Sequence, residues 1–177
     1  MNLKKYTKET VFTVLVFILG FLCGYFLTNI DSPISSHTQV SILEIFNNNI
    51  SIIYLNIAFG IITAGIYSNI NLFFQGIGMG AVIKVAVIND MGIGKLLSSV
   101  IAHGFLELIA FFVANILVIL IVKKIYNIIL DKQQVGRLLL LKKLITNSTK
   151  VIIVVTTITL LAAIIEGTIT EKLYNSI

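Results

Sequence analysis

Long apolar stretches alternate with short polar ones along the whole chain. Five of these stretches hold about the 20 apolar residues that an α-helix needs to cross a bilayer. They cover roughly residues 11–30, 50–68, 71–88, 96–122 and 151–169. The polar residues Ser68, Asn69 and Asn71 separate the second stretch from the third, which predicts a tight hairpin there. The pattern predicts an all-α, polytopic transmembrane helix bundle with five spans, forming a single integral membrane domain over residues 1–177.

Two connections are too long to be simple turns. Segment 36–49 places Val40, Leu43 and Phe46 at helical spacing, which predicts a short interfacial helix. Segment 123–150 mixes basic residues with isoleucine and leucine, which predicts a basic amphipathic loop in the cytoplasm. Two interpretations of this loop are open: it lies on anionic lipid, or it docks a cytoplasmic partner.

Composition supports the membrane assignment. The chain is 57% hydrophobic and 12% charged, whereas soluble domains carry about 25% charged residues. In a soluble protein the formal net charge of +5 would suggest a nucleic-acid partner. In a membrane protein it is better explained by the positive-inside rule, so no nucleic acid is expected. The single cysteine, Cys23, cannot form an intrachain disulfide and lacks metal-ligand spacing.

The basic residues also predict the orientation of the chain. Three lysines precede the first span and seven basic residues lie within 123–150, whereas segment 31–49 has none. A cytoplasmic N-terminus therefore places ten of the thirteen basic residues on the cytoplasmic side. No small-x-small cleavage site follows the first apolar run, so we expect this run to be retained as a span of a multi-pass protein in the cell membrane.

Every predicted span carries two small residues four positions apart. Such pairs allow helix backbones to approach closely in lipid, where burial of apolar surface gives little driving force. Five pairs in five spans favour a compact bundle over loosely tethered anchors. The pairs are Gly20 and Gly24, Gly60 and Ala64, Gly76 and Gly80, Ala110 and Ala114, and Ala163 and Gly167.

Four ionisable side chains fall inside the predicted spans: Lys84, His103, Glu107 and Glu166. A rise of about 1.5 Å per residue places all four in the outer half of the membrane. Ionisable groups at this depth need a partner or a wet cavity. We therefore predict a buried polar cluster that joins Lys84 to Glu107 and Glu166, with His103 as a hydrogen-bond partner.

The cluster lacks the companions that known catalytic sites require. A zinc protease needs HExxH, whereas this chain has HGxxE at 103–107, and no GxSxG or phosphate-binding loop is present. We therefore predict no catalytic, cofactor-binding or metal-binding residues, and no enzymatic activity. Three interpretations stay open: general acid–base work by Glu107 and His103, a structural or gating cluster, and a substrate or proton pathway.

Several short motifs resemble those of the stage II sporulation protein M family of bacterial and archaeal membrane proteins. The resemblance covers about residues 45–170. It rests on FNNN, FGIITAG, QGIGMGAV, HGFLE and AAIIEGTIT. The residues that carry it are Asn48, Gly60, Gly65, Gly76, Gly80, His103, Gly104, Glu107 and Glu166.

The resemblance implies a protein that works through partners rather than through catalysis. Sporulation members act with peptidoglycan-degrading proteins as a membrane-embedded scaffold during engulfment. Other small members are encoded with circular bacteriocins, where they are implicated in maturation, export or immunity, often beside an ATP-binding subunit. The resemblance thus implies, besides the lipid bilayer, either a cell-wall hydrolase complex or an ATP-binding transport subunit as partner. The abundance of isoleucine, asparagine and lysine suits a low-GC Gram-positive host.

Overall fold

Five long helices make up almost all of the protein that the structure describes. The computed structural model describes residues 7–28, 41–89, 102–130 and 136–170. The helices are α1 (Thr7–Leu27), α2 (Ile42–Ile62), α3 (Ile66–Ile88), α4 (Ala102–Leu130) and α5 (Arg137–Ile165), and a π-helical turn (Glu166–Thr170) follows α5. All five are long and apolar enough to cross a membrane, so the predicted all-α bundle of five spans is confirmed. The cytoplasmic orientation of the N-terminus stays a prediction.

The second helix begins earlier than the apolar pattern predicts. Ser41 caps it: its Oγ accepts a hydrogen bond from the backbone N–H of Glu44 (3.2 Å), and the Glu44 carboxylate accepts one from the backbone N–H of Ser41 (2.9 Å). This reciprocal capping box stabilises a helix N-terminus. From Ile42 onward, the predicted interfacial helix over 36–49 is therefore the first two turns of α2, and residues 36–40 lie outside the described part of the chain.

The turn between α2 and α3 lies at residues 63–65, so the predicted hairpin at Ser68–Asn71 is wrong. Ala64 (φ 53°) and Gly65 (φ 92°) both adopt the left-handed conformation that ends helices. The Gly65 N–H donates to the Gly60 carbonyl oxygen at 2.6 Å, which closes the end of α2. Polar residues favour turns in water. In a membrane bundle, polar residues also form contacts between helices. Ser68, Asn69 and Asn71 lie inside α3, where they form such contacts.

The fourth and fifth helices are longer than a membrane span requires. Each has 29 residues, or about 43 Å at 1.5 Å per residue, whereas the hydrocarbon core is about 30 Å thick. Residues 123–130 and 137–150 of the predicted basic loop therefore continue α4 and α5. We name residues 124–130 and 137–143 the projecting hairpin.

The five helices form two packing units. In the first, α1 and α3 lie in parallel with their backbones in contact. Gly20 faces the backbone of Phe73, and Gly24 faces that of Ile77. A Cβ atom added at either glycine would overlap a carbonyl oxygen of α3. Gly76 and Gly80 of α3 in turn pack against the backbone of α1. The small-residue pairs of these two helices therefore pack on one another, as the close approach of backbones in lipid requires.

The second unit is a conventional side-chain core between α2, α4 and α5. It includes Ile53, Val118 and Val155, which are fully buried. Ala110 and Ala114, also fully buried, allow the large side chains of the neighbouring helices to fill the space between them. The remaining members are Ile57, Phe111, Leu117 and Ile121. The chain thus builds one unit on backbone contact and the other on interlocking side chains.

Candidate functional site

At one end of the bundle the structure brings two of the predicted carboxylates together. Glu107 lies in the second turn of α4 and accepts a hydrogen bond from the Asn49 amide of α2. Glu166, which begins the π-helical turn after α5, lies close enough to interact electrostatically with Glu107. Both glutamates are half-buried. Three helices therefore converge at this acidic end, which we define by Asn49, Glu107 and Glu166.

Lys84, the predicted cation of the cluster, has a different partner. Its Nζ donates to the backbone carbonyl oxygen of Thr28, immediately after α1, at 2.6 Å. The last carbonyl groups of a helix have no partner within the helix and carry partial negative charge, so a lysine there is favourable. Within the described residues, Lys84 forms no ion pair with Glu107. The lysine therefore fastens α3 to the end of α1.

His103 lies in the first turn of α4, and its side chain is outside the described part of the structure. Its predicted hydrogen bond in the cluster therefore stays a prediction. Among the described side chains, no group of three or more histidine, cysteine, aspartate or glutamate residues is placed to hold a metal ion.

A second polar site, which the sequence analysis did not identify, lies in the interior of the bundle. Asn115 of α4 is its centre. The Asn115 side-chain oxygen accepts a hydrogen bond from Ser68 Oγ of α3. The Asn115 amide nitrogen donates to Thr13 Oγ1 of α1 (3.4 Å) and to Asn69 Oδ1 of α3 (3.3 Å). Asn56 of α2 completes the arrangement by donating to Ser68 Oγ at 3.1 Å. We name these residues, together with Asn71, the asparagine network.

The side chains of the network find their hydrogen-bond partners in one another and in nearby backbone carbonyl groups. Asn71 donates to Asn56 Oδ1 at 3.1 Å, and Thr13 Oγ1 donates to the Glu9 carbonyl oxygen at 2.8 Å. Thr13, Ser68 and Asn115 are fully buried, and Asn56 is 1% exposed. Interhelical polar contacts of this kind hold membrane helices together. Two isolated asparagines, Asn56 and Asn115, in otherwise apolar runs were the available signal, because a buried amide requires partners.

The hydrogen bonds of the network favour a structural role over a catalytic one. Ser68 Oγ donates to an amide oxygen, and an amide is not a base that could activate a hydroxyl for nucleophilic attack. About 11 Å of helix separates Asn56 from Asn49, and Asn115 from Glu107. Ile53, Ala110 and Phe111, which are buried, fill that interval. An apolar layer therefore divides the asparagine network from the acidic end.

The opposite end of the bundle is basic. Lys123 of α4 forms an ion pair with Glu9 in the first turn of α1, with Nζ and Oε1 2.6 Å apart. Beside this pair is a cavity of about 300 Å³ between α1, the start of α3, and α4. We name this the basic end and define it by Lys8, Lys123 and the projecting hairpin. The ion pair shows that the start of α1 and the last turns of α4 share one end, as the predicted alternation of spans requires.

Several of the residues that carry the family resemblance occupy positions where side-chain size or backbone conformation matters. Gly60 packs against Ser68 and Val118, where an added Cβ would lie 2.9 Å from a side-chain atom of each. Gly65 forms the left-handed turn, and Gly76 and Gly80 contact α1. Gly104 faces Met79 across the α3–α4 contact. Asn48 lies on the exposed side of α2 next to Asn49.

Comparison with known proteins identifies the family. The family model for stage II sporulation protein M matches residues 13–171, which is most of the chain. An uncharacterized protein of Methanocaldococcus jannaschii is 27% identical over 132 residues, covering 70% of this chain and 74% of its own length. No solved structure matches. With its five membrane-spanning helices, the chain is a multi-pass membrane protein that belongs to the stage II sporulation protein M family.

Proposed function

We propose that the protein has no catalytic activity of its own and acts as a membrane-embedded scaffold or subunit that assembles a complex. The projecting hairpin carries this proposal. From Lys123, at the level of the ion pair with Glu9, α4 continues for seven residues, or about 10 Å. Among the described residues, α1 begins only two residues before Glu9, so this part of α4 continues past the start of α1.

The surface of the projecting hairpin is both apolar and basic. Leu138 is 82% exposed and Leu139 is 71% exposed. Lys124, Lys142 and Lys143 are also exposed. The described residues of the hairpin include no acidic side chain. A large exposed apolar patch next to charges is typical of an interaction site, and complementarity favours a partner with an acidic, apolar surface.

The family match supports a scaffold in a sporulation or envelope-remodelling complex. The resemblance described above implies cell-wall hydrolases as the partner class. Such hydrolases act outside the cytoplasm. The positive-inside rule assigns the basic end to the cytoplasm, so these partners would contact the acidic end.

A second candidate function is supported by the position of the hairpin. The protein would be the membrane component of circular bacteriocin maturation, export or immunity, with an ATP-binding partner. An ATP-binding subunit is cytoplasmic and would meet the basic end, where the exposed leucines and lysines of the projecting hairpin lie. This placement favours a partner at the projecting hairpin.

Site-specific photocrosslinking in native membranes tests the proposal. We would place the crosslinker at Leu139 on the projecting hairpin, at Leu43 near the acidic end, and at Phe74 in the middle of α3. All three side chains are exposed, at 71%, 66% and 60% respectively. Phe74 is the matched control because it lies mid-span, where it should contact lipid.

We expect a specific protein adduct at Leu139 or Leu43 and none at Phe74. An ATP-binding protein at Leu139 identifies the bacteriocin role, and a cell-wall hydrolase at Leu43 identifies the scaffold of a remodelling complex. Adducts with lipid alone at all three positions would contradict a protein that acts by assembly.

A further inference from the structure

The cavity at the basic end has two chemically different walls. Phe12, Ile119 and Val122 provide apolar surface, whereas Lys8, Glu9, Asn69 and Lys123 provide polar groups. The turn residues Ala64 and Gly65 complete the lining. The cavity lies beside the Glu9–Lys123 ion pair, where the apolar runs of α1 and α4 end. Charged residues that flank the ends of spans are expected at the level of the lipid head groups. Its lining therefore suits a ligand with a charged head and an apolar body.

The charges in the cavity favour an anionic head. Lys123 bonds to Glu9 through one carboxylate oxygen and is 57% exposed, so it has capacity for a second partner. Lys8 forms neither an ion pair nor a hydrogen bond with any residue that the structure describes. Two lysines thus face one carboxylate. Helices α1 and α3 both begin here, and helix N-termini also favour negative charge.

The lining also presents an acceptor that lacks a donor. The second carboxylate oxygen of Glu9, Oε2, is buried and has no hydrogen-bond partner among the described residues. Buried polar atoms normally have a hydrogen-bond partner, so Oε2 is an acceptor available to a hydroxyl of a ligand in the cavity. A ligand that brings an anion to Lys8 and a hydroxyl to Glu9 would satisfy both.

We propose that this cavity binds one anionic phospholipid whose head group carries hydroxyls, of the phosphatidylglycerol type. The phosphate lies between Lys8 and Lys123, the head-group hydroxyl donates to Glu9 Oε2, and an acyl chain follows Phe12 and Ile119. Basic pockets between helices on the cytoplasmic side of membrane proteins bind anionic head groups in this way.

Asn69 connects the lipid site to the interior of the protein. It lines the cavity, donates to the Gly65 carbonyl oxygen (2.8 Å), and accepts from Asn115 in the asparagine network. A lipid that fills the cavity therefore contacts the junction of α1, α3 and α4. Since a ligand that binds only the folded state stabilises it, bound lipid should raise the unfolding temperature of the bundle.

Native mass spectrometry of the full-length protein tests this site. The protein is purified in detergent and titrated with phosphatidylglycerol, with phosphatidylcholine, or with soluble glycerol phosphate. The key variant is Lys8→Gln. Its matched control is Lys124→Gln, which removes the same charge from an exposed residue that does not line the cavity.

We expect one retained phosphatidylglycerol in the wild-type protein and in Lys124→Gln, with little retention of phosphatidylcholine. Lys8→Gln should bind about fivefold more weakly, the effect of losing one lysine at an anionic head group. Lys8→Arg should restore retention, which separates lost charge from lost folding.

Three results would overturn the inference. Equal weakening by Lys8→Gln and Lys124→Gln would mean general electrostatic attraction to the basic end. Equally tight binding of soluble glycerol phosphate would mean that the site takes a free phosphate. Equal retention of a phosphatidylmethanol, which carries the same single charge and no head-group hydroxyl, would overturn the assigned head-group class and the role of Glu9.

Discussion

The α1–α3 unit and the α2–α4–α5 unit hold their helices together by different means. In α1–α3 the glycines bring backbone against backbone, and the large side chains point away: Phe12, Leu19 and Phe74 are each at least half exposed. In α2–α4–α5 the contact is made by large side chains around Ile53 and Val118, with Ala110 and Ala114 as the spaces between them.

This difference bears on how each unit tolerates change. In lipid, burying an apolar side chain gives little free energy, so close fit and polar contacts must supply the stability. A backbone contact has no flexible side chain that could move aside for an added atom. A side-chain core can lose a methyl group and partly relax. The α1–α3 unit should therefore be sensitive to added volume, and the other unit to removed volume.

The largest effect should come from adding volume between α1 and α3. Gly76→Val places its side chain against the Phe17 carbonyl oxygen and the Phe21 amide nitrogen. We expect the free energy of unfolding to fall by about 3 kcal/mol, since overpacking in a tight contact forces the helices apart. Unfolding in detergent, followed by circular dichroism, measures this loss.

The control for this prediction lies two residues away. A Cβ atom added at Gly78 would meet no described atom within 4 Å, so this side of α3 is open. Gly78→Val should change stability by less than about 0.5 kcal/mol, as for surface substitutions in general. Equal losses in the two variants would show that valine itself, rather than the α1 contact, is responsible.

Removing volume from the α2–α4–α5 core should have an intermediate effect. Ile53→Ala empties a fully buried position, and we expect a loss of about 2 kcal/mol from the cavity left behind. Leu55→Ala, on the same helix at a position that is 50% exposed, should cost much less. The same unfolding assay compares the two variants. If Leu55→Ala is as destabilising as Ile53→Ala, the assigned core is wrong.

The smallest effect should come from the polar contact that joins the two units. Asn115→Leu removes the partner of Ser68, Asn69 and Thr13. We expect a loss of about 1 kcal/mol, the usual range for interhelical hydrogen bonds in membranes. The coupling between Asn115→Leu and Ser68→Ala, measured in a double-mutant cycle, should be clearly non-additive.

Asn127→Leu is the matched control for this polar contact, because Asn127 lies on the same helix and is exposed. It should leave stability unchanged. Strictly additive losses for Asn115→Leu and Ser68→Ala would indicate that the network does not act as a unit.

Some features of the two units can be predicted from the sequence and others cannot. The number and type of helices followed from hydropathy, because a span needs a long apolar run whatever its neighbours are. The glycine pairs indicated close packing, but spacing alone does not state that α1 pairs with α3. The α2–α3 turn was misplaced because Ser68 and Asn69 resemble turn residues when their partners, which are distant in sequence, are unknown.

The sequence likewise indicates some residues of the candidate site and not others. Glu107 and Glu166 stand out because both are charged residues in apolar runs at a similar depth, and they lie at the same end of the bundle. Opposite charge and similar depth predict that Lys84 pairs with the carboxylates, whereas in the structure it donates to the Thr28 carbonyl oxygen. Every residue has such an acceptor, so the sequence does not distinguish it. The asparagine network requires contacts between four helices, which no single stretch of sequence displays.

The pairing of α1 with α3 also sets an order for insertion during synthesis. The glycine face of α1 enters the membrane before α3 has been synthesised, because α2 and the turn at residues 63–65 precede α3 in the chain. Thr13 likewise receives its hydrogen bond from Asn115 only when the fourth helix arrives. A nascent chain that stops after α3 therefore holds its glycine pair but leaves Ser68 without Asn115. We therefore expect the early helices to reach their full stability only once α4 has entered the bilayer.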